Sequence, residues 1–317
     1  MKCSVIVACY NPILSKVIFT LKTILQQDTK DIEIILVDDG SKDNLFQEVE
    51  QYLVQNDFRN YKFIVNEINQ GTVKNIITGL NVCTGRYIKL LSPGDGFYSS
   101  DVVSYFCDYM DQNQVLACFG RMMGYSNSEG NIKFQEFEHP YDIVSYIKKN
   151  CTDVLKKNLV LFCDHVPGAT FFMERDFCKK CFQQIDTNVK FVEDILQVYA
   201  MYEGHPFKFV DKFVVYYEND TGISTSKVSP VKIRMKKDAE EFYANSMKAY
   251  HSDKYIEKRV KNAGKYSYTN YRKQIVSIIL NNSDSLAFLY RVLSGKLWRK
   301  KHKCVDQGFL ADLSFLD

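Results

Sequence analysis

The strongest constraint on this chain is a change of period that repeats through its first hundred residues. Cys3–Cys9 is an unbroken apolar run with β-branched residues, which predicts a buried strand. Residues 13–27 then place Leu14, Val17, Ile18, Leu21, Ile24 and Leu25 at helical spacing. The alternation continues with strands over 31–37, 62–65 and 86–91 and helices over 43–54 and 71–83. Strands separated by single helices are joined by right-handed crossovers and lie parallel in one sheet, with helices on both faces. The expectation is an α/β fold with a mostly parallel central sheet. Ligands of such sheets bind beyond the carboxyl ends of the strands. Tyr10-Asn11, Asp38-Asp39-Gly40-Ser41 and Ser92-Pro93-Gly94-Asp95 all follow strands, so three polar loops should meet at one crevice.

Beyond residue 100 the pattern weakens. Residues 115–119 and 207–217 read as strands, 166–170 as a loop and 191–202 as a helix opening near Glu193-Asp194, while 121–165 has no firm assignment. A hydrophobic share of 46% with only 6 Pro excludes a disordered or low-complexity chain. The ten cysteines are scattered, several inside apolar runs, which suits a reducing compartment better than a disulfide framework. No run approaches the ~20 apolar residues of a spanning helix. The first apolar run is too short for a signal peptide, so a cytoplasmic, non-spanning protein is expected.

Net charge is +3, but its distribution divides the chain. Residues 226–317 hold 19 Lys/Arg and 9 Asp/Glu, a local net of +10, which leaves the first 225 at −7. The expected organisation is a domain over 1–225 and a basic helical extension over 226–317. Within the extension, 232–250 reads as a charged helix. Residues 271–293 form an amphipathic stretch carrying Ile275, Ile278, Ile279, Leu286, Leu289 and Leu293, and Trp298 stands beside Arg299, Lys300, Lys301 and Lys303. An apolar stripe with basic flanks suits the surface of an anionic membrane. The competing reading is a helical cap on the body. No nucleic-acid motif accompanies the charge, so nucleic acid is not an expected partner.

Several residue groups could carry chemistry. Asp38-Asp39 closing a strand could hold a base, a ribose or a cation, or could simply form a turn with Gly40-Ser41. Asp95 at another strand end suits a hard cation shared with substrate phosphates. Glu193-Asp194 offers a carboxylate able to take a proton from a hydroxyl, or merely charge at a helix N-terminus. Cys178-x-x-Cys181 has no second Cys/His pair at zinc spacing and reads as helix packing. The sequence contains no Gly-x-Ser-x-Gly elbow, P-loop or Gly-x-Gly-x-x-Gly, which weakens hydrolase, kinase and dehydrogenase readings.

The order of these pieces resembles a known family. Ser4–Asn11, Val37-Asp-Asp-Gly-Ser41, Asn69-Gln-Gly71 with Lys74-Asn75, Gly85-Arg-Tyr-Ile88 and Leu91-Ser-Pro-Gly-Asp95 are similar to the inverting, nucleotide-sugar-dependent glycosyltransferases of the GT-A fold, family-two type. Pro167-Gly168-Ala169 resembles the family's acceptor loop, Glu193-Asp194 its catalytic carboxylate, and 216–224 its closing segment. The resemblance covers about 3–225. It implies a Rossmann-like GT-A sheet and a nucleotide-sugar site formed by Cys9, Tyr10, Asp38, Asp39, Gly71, Lys74 and Asn75. It further implies Asp95 as ligand of Mg²⁺ or Mn²⁺, and Asp194 as general base with Glu193 the alternative. The usual Asp-Ser-Asp-Asp pattern stands here as Ser92-Pro93-Gly94-Asp95, so two of three carboxylates are missing. The function implied is transfer of a hexosyl or N-acetylhexosaminyl unit, with inversion, to a glycan or lipid-linked acceptor. The pathway would be capsule, lipopolysaccharide or exopolysaccharide synthesis. UDP is the expected donor nucleotide, the inner face of the membrane the expected location, and a homodimer is allowed. The alternative is a non-catalytic protein that keeps the fold and binds nucleotide sugars or glycans.

Overall fold

The computed structural model describes residues 1–128, 131–149, 152–219, 230–263 and 284–302. Each predicted period near the N-terminus becomes an element: β1 (Cys3–Cys9), α1 (Leu14–Leu25), β2 (Ile32–Asp38), α2 (Phe46–Gln55), β3 (Tyr61–Val65), α3 (Thr72–Val82) and β4 (Tyr87–Leu91). The four strands pair in parallel in the order β3-β2-β1-β4. Both faces of β1 and β2 are covered, which is why these strands are mostly apolar rather than alternating; the buried exceptions within them, Ser4 and Glu33, hydrogen-bond each other. Ile6, Ile35 and Val37 pack under α3, while Val5, Val7, Ile34 and Leu36 pack with Val17, Leu21 and Leu53 of α1 and α2.

Beyond β4 the sheet changes direction. After β5 (Gly96–Phe97) and α4 (Val102–Asn113) comes β6 (Ala117–Ser128), which returns as β7 (Asn131–Glu136). Next follow α5 (Ile143–Ile147), α6 (Thr152–Phe162), β8 (Phe171–Glu174), α7 (Arg175–Gln183), α8 (Leu196–Tyr202) and β9 (Lys208–Glu218). β8 lies antiparallel between β4 and β6, and β9 runs parallel to β6 and antiparallel to β5. The stretch 121–165 is therefore a long strand, a hairpin partner and two helices. The strand expected over 115–119 runs on to Ser128, and its continuation escapes pattern reading because residues 117–125 are all buried, which removes the alternation. Cys178 and Cys181 are fully buried on α7, as the packing reading expected.

After residue 229 the chain forms α9 (Pro230–Glu241), a π turn (Phe242–Ser246), a 3₁₀ turn (Lys248–Tyr250), α10 (Lys254–Lys261) and α11 (Asp284–Lys301). The single helix expected over 232–250 thus breaks at Glu241. Met235, Phe242, Tyr243, Met247, Ile256, Phe288 and Val292 join the same core as Ile6 and Ile88. Trp298 faces the body: it meets Phe209 edge-on at 5.9 Å, and the Arg121 guanidinium lies 5.3 Å from its ring. Arg299, expected in an exposed basic cluster, is buried and donates to the Pro140 carbonyl at 2.9 Å. The inward face of α11 is Phe288, Val292, Gly295 and Arg299, whereas Leu286 and Leu293 point outward. Ile275, Ile278 and Ile279 lie outside the described residues. Among the described residues no helix is long and apolar enough to cross a membrane.

Candidate active site

A cavity of about 640 Å³ opens at the carboxyl ends of β1, β2 and β4. Its wall includes Cys9, Tyr10, Asp39, Gly71, Asn75, Asp95, Pro167, Gly168, Ala169, Glu193 and Asp194. Loops that are far apart in sequence thus meet as expected. Two anticipated residues stay out of the wall. Asp38 is fully buried and turns back to accept hydrogen bonds from the Ser41 amide, at 2.8 Å, and the Ser41 hydroxyl. Its role is the turn. Lys74, the third residue of α3, is half-buried and does not line the cavity.

At the donor end, the Asp39 carboxylate accepts from the Gly71 amide at 2.8 Å, the Gln70 amide at 3.0 Å and the Asn66 amide group at 3.2 Å. It is 3% exposed. Two backbone donors on one carboxylate fix the loop that leads into α3. Asn75 donates to the carbonyls of Cys9 and Val37 and accepts from Asn66, so it ties β1 to β2 and has little left for a ligand. Gly71 has φ +92°, and a Cβ there would lie 2.7 Å from the Lys190 Cβ. Only glycine allows this approach. Tyr10 is 52% exposed at the rim, and burial pushes the Cys9 thiol up to about 12, leaving it an inert wall residue.

Asp95 forms the next corner. Its Oδ1 accepts from the Glu218 amide at 3.2 Å, and its own amide donates to the Ser92 carbonyl at 2.9 Å. Burial raises its carboxyl to about 7, against the opposing pull of the Glu218 amide and the Lys89 ammonium. The Glu218 carboxylate, paired with Lys16 at 2.8 Å, leans on the loop so closely that a Cβ on Gly94 would meet its Oε2 at 2.4 Å. Tyr125 donates to the Gly94 carbonyl at 2.6 Å. Two carboxylates in the cavity wall are the hard oxygen donors that Mg²⁺ or Mn²⁺ takes. No group of three or more His, Cys, Asp or Glu converges among the described residues, so phosphate oxygens would have to fill the rest of a metal's shell.

At the opposite end, Glu193 and Asp194 sit in a 3₁₀ turn immediately before α8. Burial, reinforced by the adjacent Asp194 charge, holds the Glu193 carboxyl well above the ordinary range. Gln197 is buried one turn on. It accepts from the Val166 amide at 2.9 Å and donates to the Val166 and Asp194 carbonyls at 3.0 and 2.8 Å. One amide therefore joins the Glu193-Asp194 turn to the strand of chain before Pro167. The other end of that loop is held by Lys89, fully buried on β4, whose ammonium donates to the Ala169 and Leu90 carbonyls. Phe137, Tyr141, Phe191 and Tyr217 line this side with His139 and His165. Burial lowers His139 to about 4 and His165 to about 3, with Arg299 and Arg259 adding to the effect, so both rings are neutral at pH 7.

Sequence reading missed Lys89, Gln197 and Glu218. Lys89 left a signal, a lone cation inside the apolar run Tyr87–Leu91. Gln197 left a weaker one, a polar residue among the buried positions of a helix.

Comparison with known proteins agrees with this geometry. The family model described as Glycosyl transferase family 2 matches residues 4–182. The bifunctional glycosyltransferase pgtA of Dictyostelium discoideum is 24% identical over 211 residues, 65% of this chain and 27% of that protein. The glycosyltransferase GlyG of Streptococcus pneumoniae serotype 4 is 28% identical over 134 residues, 41% of this chain and 42% of that one. The poly-beta-1,6-N-acetyl-D-glucosamine synthase of Staphylococcus epidermidis is 27% identical over 150 residues, 46% of this chain and 34% of that one. The chain thus spans less than half the length of these curated relatives. Among solved structures, residues 1–349 of S. aureus TarS in complex with UDP-GlcNAc superpose with a TM-score of 0.55 at 21% identity, covering 87% of this chain and 79% of that one. The fold is GT-A.

Proposed function

Since the chain belongs to glycosyl transferase family 2, we propose that it moves a sugar from a UDP-linked donor to a hydroxyl of a glycan or lipid-linked acceptor, with inversion. The observation that carries this reading is the convergence of Asp39, Asp95 and Asp194 on one cavity from three separate loops. Asp39 and Tyr10 bind the nucleoside. Asp95 would hold Mg²⁺ or Mn²⁺, whose charge offsets that of the donor diphosphate. Asp194 takes the proton of the acceptor hydroxyl. The acceptor oxygen then bonds the anomeric carbon on the face opposite the diphosphate, and the electrons of the broken C–O bond leave with the diphosphate. Burial and the adjacent Asp194 charge favour the protonated form of Glu193, which leaves Asp194 as the base of the pair. The aromatic side chains beyond the base offer flat apolar faces to a sugar ring.

Likeness to TarS, solved with UDP-GlcNAc, and to a poly-N-acetylglucosamine synthase supports a UDP-N-acetylhexosamine donor and a surface polysaccharide as product. The outward face of α11 supports a station at the inner membrane surface. Leu286, Tyr290, Leu293 and Leu297 are 61–73% exposed at spacings of four, three and four, beside exposed Lys300 and Lys301.

A thermal-shift panel of nucleotide sugars with and without Mn²⁺, on wild type and Asp95→Asn, tests the donor site. The expected result is Mn²⁺-dependent stabilisation by UDP that Asp95→Asn loses while still folding. Equal Mn²⁺-dependent stabilisation of both proteins refutes the metal role. UDP binding without turnover of any donor would favour the non-catalytic binding protein.

A further inference from the structure

The loop that delivers the Glu193-Asp194 turn is held from outside the matched family region, by α9. Asp238 is fully buried there. Its Oδ2 accepts from the Lys190 and Phe191 amides, both at 2.9 Å, and its Oδ1 accepts from Arg234 at 2.5 Å. Arg234 also donates to the Asn188 carbonyl, and the Ser246 hydroxyl accepts from the Asp186 amide at 2.7 Å. Residues 186–191 are thus pinned by side chains of the basic extension. One turn before Asp238, Met235 reaches the cavity wall itself.

Lys190 is a junction. Its amide belongs to Asp238, while its carbonyl accepts from the Val73 amide at 2.9 Å at the start of α3. Its Cα and Cβ press on Gly71, whose amide is bound by Asp39. Phe191, bound next by Asp238, lines the cavity two residues before Glu193. A single buried carboxylate therefore touches the backbone at the point where the donor loop and the acceptor-side turn meet.

We propose that Asp238 is a positioning residue for the transfer reaction, and that the helices after residue 229 are part of the catalytic unit rather than an appended cap. This rests on the reading of Asp194 as the base. A carboxylate accepting two adjacent amides holds 190–191 in one place, and the base, three residues beyond Phe191, inherits that placement. Misplacement of a reacting group by about 1 Å costs on the order of 10²-fold in rate, whereas nucleotide binding, held mainly by β1 and β2 loops, should change little.

The test uses the full chain with Asp238→Asn and Asp238→Ala, the first retaining an acceptor oxygen in case the second does not fold. Three quantities are read: UDP affinity with Mn²⁺, UDP release from UDP-GlcNAc with water as acceptor, and hydrogen exchange of residues 186–195. Expected are faster exchange in that segment, turnover reduced by about 10-fold or more, least in the Asn variant, and UDP affinity within about 3-fold of wild type. Unchanged exchange at 186–195, or unchanged turnover despite faster exchange, overturns the proposal. A wild type that releases no UDP from any nucleotide sugar, while Asp238→Asn still loosens 186–195, fails the transfer reading and with it the positioning role, but leaves the structural clamp standing.

Discussion

Replacing Gln197 by Leu conserves shape and removes the amide that links the acceptor loop to the base. Three hydrogen bonds are lost, two of them to Val166, a residue with no exposed surface. Each buried backbone group left without a partner costs ~1–3 kcal/mol, so the two groups of Val166 together cost ~2–6 kcal/mol. At no more than about 2–4 °C per kcal/mol, the slope for domains of 150–250 residues, this gives a drop of up to roughly 4–24 °C. Asp194 loses the tie on its carbonyl at the same time, so turnover should fall even at temperatures where the variant is folded. Gln197→Glu separates the two effects. It keeps the acceptor for the Val166 amide but sets a carboxylate against the Val166 and Asp194 carbonyls, so its turnover should suffer as much as that of the Leu variant. Differential scanning calorimetry and UDP release from donor, measured below both transitions, are the assays. A Leu variant melting within about 2 °C of wild type would show that water or a shifted backbone satisfies Val166, and the linkage would be refuted.

Asp194→Asn should cut transfer by at least ~10²-fold while leaving UDP affinity unchanged, and Glu193→Gln should cost far less; the reverse order in a kinetic assay would exchange their roles. Neutral His139 and His165 should make the protein acid-sensitive. Their folded values of about 4 and about 3 lie below the unfolded 6.5, so the unfolded chain takes up protons first. Stability is complete above pH 6.5 and falls as pH drops toward 4, with a slope of up to ~2.7 kcal/mol per pH unit for two protons. Urea unfolding of His165→Gln and His139→Gln across that range should show a shallower slope, and an unchanged slope would locate the sensitivity elsewhere. Anionic vesicles should sediment the wild type at low salt, less at high salt, and less with Leu286, Tyr290, Leu293 and Leu297 changed to Ser; no sedimentation at low salt ends the membrane reading.

The parallel half of the sheet was legible because each of its elements has one dominant period. Asp39, Asp95 and Asp194 were legible because they end strands or open helices, where a carboxylate is locally conspicuous. What was not legible depended on partners remote in sequence. Lys74 stands beside the correct motif, yet the pitch of α3 carries it away from the cavity. Asp238 looks like one more charge on a charged helix until the Lys190 and Phe191 amides are placed against it. Trp298 and Arg299 seemed to belong to an exposed basic cluster, but helical pitch turns them onto Phe209 and Pro140. Of the stripe expected on α11, Leu286 and Leu293 do lie on the exposed face, with Tyr290 and Leu297 completing it, whereas Leu289 turns half-buried toward the body.

The position of β8 has a consequence for how the chain is made. β4 ends at Leu91, and its antiparallel neighbour β8 begins at Phe171, 80 residues later. At about 5–20 residues per second, synthesis leaves that edge uncovered for roughly 4–16 s. During this interval β1 to β4 can already pair, since all four strands have emerged. The growing molecule then presents the apolar run Tyr87–Leu91 as an unpaired edge, the kind of surface on which other nascent chains add strands. Lys89 sits at the centre of that run. Before β8 arrives its ammonium is hydrated at an open sheet edge, where a charge discourages edge-to-edge pairing. Once Ala169 and Phe172 close over it, the same lysine is sealed into the finished sheet. A Lys89→Met chain should therefore lose more to inclusion bodies during expression than the stability of its purified fraction would account for.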